Sequence, residues 1–432
     1  MTMLLIFLFV IGYAAIVLEH PLKTDKTIAA LLMGSLMWAV ISCWNIPVES
    51  DFGASEGLEP VLLHHIGKIA EILFFLIGAM TIVELIDLHM GFSLIADKIR
   101  TRKKINLLWI IVFMSFFLSA VLDNLACTIV LITLLRKLVP NAKDRIWYSC
   151  FVILGANAGG AWSPIGDVTT TMLWIAGKVS AMSLIEHIFI PALVSVIVPL
   201  CIAIKMPVFQ GNLEIHSIAE SDKAQDRLLS SRSMLVIGLL SLLSVPVFKT
   251  ITHLPPYMGM MMALGIVWLA SEFIHPEEDF DSKNKYSFSV QFALSRIEFS
   301  SVLFFLGILL SIAALESSGI LMDMSNGLDN VIQSRSIVIM SLGFASAIVD
   351  NVPIVAAVIG MYKLPIDNAI WHFIAYTAGT GGSMLIIGSA AGVAAMGMEK
   401  ISFIWYLRKI SWIFLISYLS GCATFLLLKT VI

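Results

Sequence analysis

One phrase occurs twice, and each copy sets ionisable and amide groups inside apolar sequence: Ser119-Ala120-Val121-Leu122-Asp123-Asn124 and Ser346-Ala347-Ile348-Val349-Asp350-Asn351. A carboxylate at membrane depth costs about 3 kcal/mol or more, so a chain that keeps one there is using it. A single Asp-Asn pair could do no more than cap a helix, since both residues are favoured at N-caps. Two matched copies call for a shared purpose. Asp123, Asn124, Asp350 and Asn351, with Ser119, Thr128 and Ser346 beside them, make an oxygen-rich set of the kind hard cations prefer. Burial and a like-charged neighbour both favour the protonated form of a carboxyl. Protons and a metal cation would therefore compete for the aspartates, and competition for one site suffices to make an exchanger.

A second pair of stretches adds donors. Gly155-Ala-Asn-Ala-Gly-Gly-Ala-Trp-Ser-Pro-Ile-Gly-Asp-Val-Thr-Thr170 contributes Asn157, Asp167, Thr169 and Thr170, and its counterpart over 378–397 contributes Thr380, Ser383 and Ser389. Glycine and proline clustered in a would-be span break the helix, and the freed carbonyls can coordinate Na⁺. Glu71, with His64 one stretch upstream, is a candidate proton entry, or equally an interfacial residue reaching out to water.

These residues need elements to hold them. Of 432 residues, 59% are hydrophobic and 13% charged, against about 25% charged in ordinary soluble domains, and the mean hydropathy is +0.93. This is the composition of an all-α polytopic membrane protein. A net charge of −3 with no basic tract excludes nucleic acid as a partner. The five cysteines lack metal or redox spacing and read as packing residues.

Apolar runs near 2–19, 27–46 and 66–87 are long enough to cross a bilayer, which takes about 20 residues. Lys23 and Lys26 mark the first loop as cytoplasmic, whereas Glu49, Asp51, Glu56 and Glu59 mark the second as external. Basic residues flank the stretch 105–138 on both sides, so it enters and leaves on one face. Two full spans and a turn need about 40 residues or more, which points instead to a re-entrant helical hairpin with Asp123-Asn124 at its tip. A discontinuous helix follows, unwound between Gly159 and Asp167, then a span at 184–205. Residues 207–231 form a charged cytoplasmic linker. Beyond it come spans at 232–252, 257–275 and 298–320, a second hairpin at 334–362 tipped by Asp350-Asn351, a second broken segment at 368–398 and a last span from 410.

The halves repeat. Leu73-Phe74-Phe75-Leu76 echoes Leu303-Phe304-Phe305-Leu306, and Ala156-x-x-Gly159-Gly160-x5-Gly166 echoes Ala378-x-x-Gly381-Gly382-x5-Gly388. Residues 1–206 and 232–432 each hold five crossings and one hairpin. Because five is odd, the second unit runs through the membrane upside down, and both termini fall outside. Binding sites in such inverted-repeat transporters sit near the midplane, between broken helices.

With SAVLDNLACT, GANAGGAWSPIGDVTT, SAIVDNVPIVAA and AGTGGSMLIIGSAAGVAAMG in view, the sequence resembles the NhaD-type sodium/proton antiporters of the ion transporter superfamily over nearly its whole length. The resemblance implies exchange of Na⁺ or Li⁺ for H⁺ across a bacterial cytoplasmic (inner) membrane, with no cofactor and no enzymatic step. It also implies transport roles for Asp123, Asn124, Asn157, Asp167, Thr169, Thr170, Ser346, Asp350, Asn351 and Ser383, with the cation at the Asp123/Asp350 cavity. Partners are then Na⁺, Li⁺, H⁺ and the lipid bilayer, and the reading is compatible with a homodimer. The superfamily also holds arsenite exporters, and dicarboxylate carriers with Ser-Asn-Thr at the hairpin tips. Here Asp replaces that serine, and paired carboxylates repel an anionic cargo. An arsenite or other anion transporter is the alternative within the fold. An intramembrane aspartyl protease is the alternative outside it, although the Gly-x-Gly-Asp context usual for that chemistry is missing.

Overall fold

In a computed structural model of the chain, the described residues are 2–19, 24–48, 57–96, 99, 101, 103–213, 230–274, 289–332 and 334–429. Lys23, Glu49, Asp51, Glu56, Lys98, Arg100, Arg102 and most of the 207–231 linker lie outside them. Among the described residues the structure is helical, apart from one isolated bridge between Lys103 and Asn212.

The N-terminal half holds α1 (Thr2–Val17), α2 (Lys26–Cys43), α3 (Leu58–Leu88), the single turn α4 (Ser93–Ala96), α5 (Lys104–Ser119), α6 (Asn124–Leu138), α7 (Ala142–Ala161), α8 (Val168–Ile175) and α9 (Ala181–Ala203). The C-terminal half holds α10 (Ser231–Thr252), α11 (Pro256–Phe273), α12 (Val290–Arg296), α13 (Phe299–Ser317), α14 (Ile320–Val331), α15 (Arg335–Ala345), α16 (Asn351–Met361), α17 (Ala369–Gly381), α18 (Ala390–Glu399), α19 (Phe403–Lys409) and α20 (Ser411–Lys429). The helices α2, α3, α9, α10, α13 and α20 are each long and apolar enough to cross a bilayer. The protein is a polytopic, multi-pass membrane protein. Leu32, Leu240, Leu269 and Leu427 are each at least half exposed, as lipid-facing side chains should be.

Four interrupted pairs sit among the long helices. α5 and α6 break over 120–123, α15 and α16 over 346–350, α7 and α8 over 162–167, and α17 and α18 over 382–389. Matching contacts hold the pairs in both halves. Ser119 Oγ donates to the carbonyl of Ala156 at 2.6 Å, and Ser346 Oγ donates to the carbonyl of Ala378 at 2.9 Å. A Cβ on Gly159 would stand 2.2 Å from the Phe116 carbonyl oxygen, and one on Gly381 would stand 2.0 Å from that of Gly343. These glycines let the backbone of a broken helix lie directly on the arm of the hairpin. Helix α7 accordingly continues through Gly159 and Gly160 to Ala161, instead of unwinding at Gly159. Its glycines are contact surfaces, and the break falls later, over 162–167.

Two further features differ from the sequence reading. α14 stands where a loop was expected. It buries Ile320, Leu321 and Ser325 while exposing Asp323 and Asn326, an amphipathic pattern too polar and short to register as a span. α19 likewise separates α18 from the last span. His372 is fully buried and stacks on His187 with ring centroids 4.5 Å apart.

Candidate functional site

Three of the four breaks end in a residue whose side chain caps the next half-helix. Asp123 caps α6, accepting from the Ala126 amide at 2.6 Å, and Asp350 caps α16, accepting from the Val352 amide at 3.3 Å. Asp167 precedes α8, and Ser389 caps α18 through the Gly392 amide at 3.2 Å. These are good caps for a plain reason: a short side-chain oxygen reaches an orphan amide of the first turn. Each such N-terminus presents the positive end of its helix dipole at the break. The three carboxylates bring negative charge to those ends.

The asparagines that follow the hairpin aspartates join the breaks together. Asn124 Nδ2 donates to Asn157 Oδ1 at 3.1 Å, and Asn157 Nδ2 donates to both Ser383 Oγ and Ser389 Oγ at 2.9 Å. Asn351 Nδ2 donates to Asp167 Oδ2 at 2.9 Å, which also accepts from Thr169 Oγ1 at 2.8 Å. Asn124, Asn157, Asp167, Thr169, Asn351, Ser383 and Ser389 are all buried. Two polar networks, each joining residues of both halves, thus run between the breaks, with Asp350 within electrostatic reach of Asp167.

Other candidate residues have different work. Ser119 and Ser346 are committed to the carbonyls already named, Thr170 Oγ1 donates to the Asp167 carbonyl at 2.9 Å, and Thr380 Oγ1 donates to that of Tyr376 at 2.6 Å. Buried Thr128 has no hydrogen-bond partner for its hydroxyl among the described residues. Glu71 lies well inside α3, which begins at Leu58, and interacts electrostatically with Lys249 and Lys68. Lys249 in turn donates to the carbonyl of Trp174 at 3.0 Å, near the C-terminal end of α8. His64 packs edge-on against His65, with centroids 5.9 Å apart. Neither Glu71 nor His64 is brought into the hydrogen-bonded networks of the breaks.

Two cavities lie beside α6. Asp123 lines one of 460 Å³ together with Glu84, Asp87, Arg296 and Glu298. The other, of 700 Å³, is lined by Glu19, Asp25, Lys26 and Glu298. Leu125, Ile129 and Glu298 belong to the walls of both. Asp350 is reached from the second side: Lys26 Nζ lies 3.7 Å from its Oδ2. Lys26 and Glu298 were not among the candidates read from the motifs. Lys26 stands in the first turn of an apolar helix, where the positive helix end disfavours it.

Known proteins give the same picture at the level of family. The citrate transporter (CitMHS) family model matches residues 13–379. Sodium/proton antiporter 1 of Arabidopsis thaliana is 46% identical over 97% of this chain and 71% of its own length, and sodium/proton antiporter 2 of the same plant is 43% identical over 97% and 98%. The Na(+)/H(+) antiporter NhaD of Alkalimonas amylolytica is 31% identical over 98% of this chain and 89% of its own. The chain belongs to the NhaD-type antiporters. As an NhaD-type protein it is a membrane transporter and not an enzyme. Both broken segments and both hairpins lie inside the matched lengths, apart from the part of the second broken segment beyond residue 379 in the family model.

Proposed function

We propose that this protein exchanges Na⁺ or Li⁺ for H⁺, with proton and cation competing for carboxylates at the junction of the four helix breaks. The observation that carries the reading is the Asn351–Asp167–Thr169 chain beside Asp350, a buried anionic cluster made of residues from both halves. The seat comprises Asp167 and Asp350 with Asn124, Asn157, Asn351, Thr169, Ser383 and Ser389, and Asp123 serves at its other approach. Ser346 and Thr170 support it by holding backbone in place.

Charge argues for a cation over the citrate in the family model's name. Asp123, Asp167 and Asp350 supply three negative groups and Lys26 one positive one, so a polyanion would enter against its own sign. We place the two halves as inverted repeats in a bacterial cytoplasmic membrane with both termini outside, and the hairpins as re-entrant from opposite faces. The relatives named sodium/proton antiporters support the cargo, and the basic loops support the sidedness. In sealed vesicles holding the purified protein and a preset pH gradient, a Na⁺ or Li⁺ pulse should collapse the gradient and a citrate pulse should not. A gradient indifferent to Na⁺ and Li⁺ but discharged by citrate would sink the proposal.

A further inference from the structure

Lys26 begins α2, and its ammonium group stands 3.7 Å from Asp350 Oδ2 and 4.6 Å above the ring of Phe304. Its side chain is 26% exposed and that of Asp350 17%, so water screens the pair only in part. The separation exceeds a tight charge-assisted hydrogen bond, which runs about 2.7–2.9 Å. The pair is therefore close enough to neutralise and loose enough to part.

The surroundings offer the ammonium a second place to go. The cavity that Lys26 lines also carries Glu19, Asp25 and Glu298, all carboxylates. Moving from Asp350 toward that mouth exchanges one anionic setting for another. No such pair stands at the matching place among the described residues of the other half. Counting by the Leu-Phe-Phe-Leu repeat, an offset of 230 residues, the mate of Lys26 is Pro256, the first residue of α11. Asp123, the mate of Asp350, interacts electrostatically with Glu298, and no lysine or arginine among the described residues is ion-paired with it. A lysine needed only to support the fold would have no reason to meet a motif aspartate in one half alone.

We propose that Lys26 is a tethered cation that occupies Asp350 in the empty protein and must be displaced by the incoming metal ion, so that its return drives that ion out. This rests on the exchange reading above, and it assigns a specificity and release role to a residue outside the shared motifs. A lysine ammonium competes with small monovalent cations because it carries the same charge to the same oxygen. Removing it leaves the seat one negative charge richer, which at this range and partial burial is worth about a decade of affinity or more.

The test is Na⁺ binding to the purified full-length protein by isothermal titration calorimetry, with Na⁺ uptake kinetics in vesicles alongside. Lys26→Gln and Lys26→Met should bind Na⁺ at least tenfold tighter, with KM falling and kcat falling too as release slows. Lys26→Met keeps an unbranched apolar stem against Phe304, which preserves packing if the glutamine variant does not fold. Lys26→Arg, which keeps the charge, should stay within about threefold of the parent. In an Asp350→Asn background the Lys26 effect should vanish, because the two act through one contact. Parent protein that binds Na⁺ no more weakly than the Gln and Met variants overturns the Lys26 role and leaves exchange standing. Parent protein that binds no Na⁺ at all overturns both.

Discussion

The side-chain amide of Asn351 donates to Oδ2 of Asp167 at 2.9 Å, across 184 residues of chain. The α15–α16 break in the C-terminal half is thereby tied to the α7–α8 break in the N-terminal half, and a carboxylate of one half is oriented by an amide of the other. An amide that donates prefers the ionised oxygen, and Thr169 Oγ1 donates to the same oxygen, so both contacts favour the charged form of Asp167.

Asp167→Asn removes the charge and keeps the shape. We expect Na⁺-driven proton movement to fall at least a hundredfold in vesicles while the protein still elutes as a single folded species. Near-parental exchange by this variant would take Asp167 out of the seat.

Asn157 is the hub between the halves, accepting from Asn124 and donating to Ser383 and Ser389. Asn157→Ala leaves buried polar partners unmet, each worth about 1–3 kcal/mol. Loss of exchange should come with a clear drop in thermal stability in detergent. Asn157→Asp should lose less stability, because both serine hydroxyls can turn to donate to a carboxylate.

Gly159→Ala and Gly381→Ala each place a methyl group about 2 Å from a backbone carbonyl oxygen, where nothing flexible can yield. Both should fail to give monodisperse protein. Gly265→Ala, with nothing within 4 Å of its Cβ, is the matched control and should express normally. Equal yields from all three would contradict the close backbone approach.

Much of this could be read from the chain. The two Asp-Asn phrases and the two glycine-rich stretches gave the breaks and most of the two networks, because charge and helix breakers stand out against apolar sequence. What stayed hidden has identifiable causes. Gly159 could mean a broken helix or a close packing contact, and only the position of Phe116 decides between them. α14 alternates polar and apolar groups too evenly to stand apart from a loop. Lys26 reads as an ordinary loop charge until the hairpin tip arrives beside it, since its partner lies over 300 residues away. Pairings of that range depend on how the halves pack, which no local pattern records.

Glu399 is the last residue of α18. Its carboxylate is 2% exposed and takes Arg136 Nε at 2.8 Å and Arg145 Nε at 2.7 Å, which fastens the end of that half-helix to α6 and α7. Arg145 also reaches the carbonyls of Val139 and Pro140. Because that arginine keeps partners and Arg136 is partly exposed, Glu399→Gln should cost about 1–3 kcal/mol, less than a fully buried pair would. A lowered melting temperature with parental cation specificity is the expected pair of results. An altered Na⁺ to Li⁺ preference would show that the clamp shapes the seat itself.

The most direct test of the account is Na⁺ binding to the purified protein as a function of pH. If proton and cation share one seat, the apparent Kd for Na⁺ should rise as pH falls. The rise should approach about tenfold for each pH unit over which one carboxyl must be vacated, and Asp167→Asn should flatten it. A Kd that stays constant across that range, with exchange still running, would mean that the two ions travel through separate sites and would contradict the central claim.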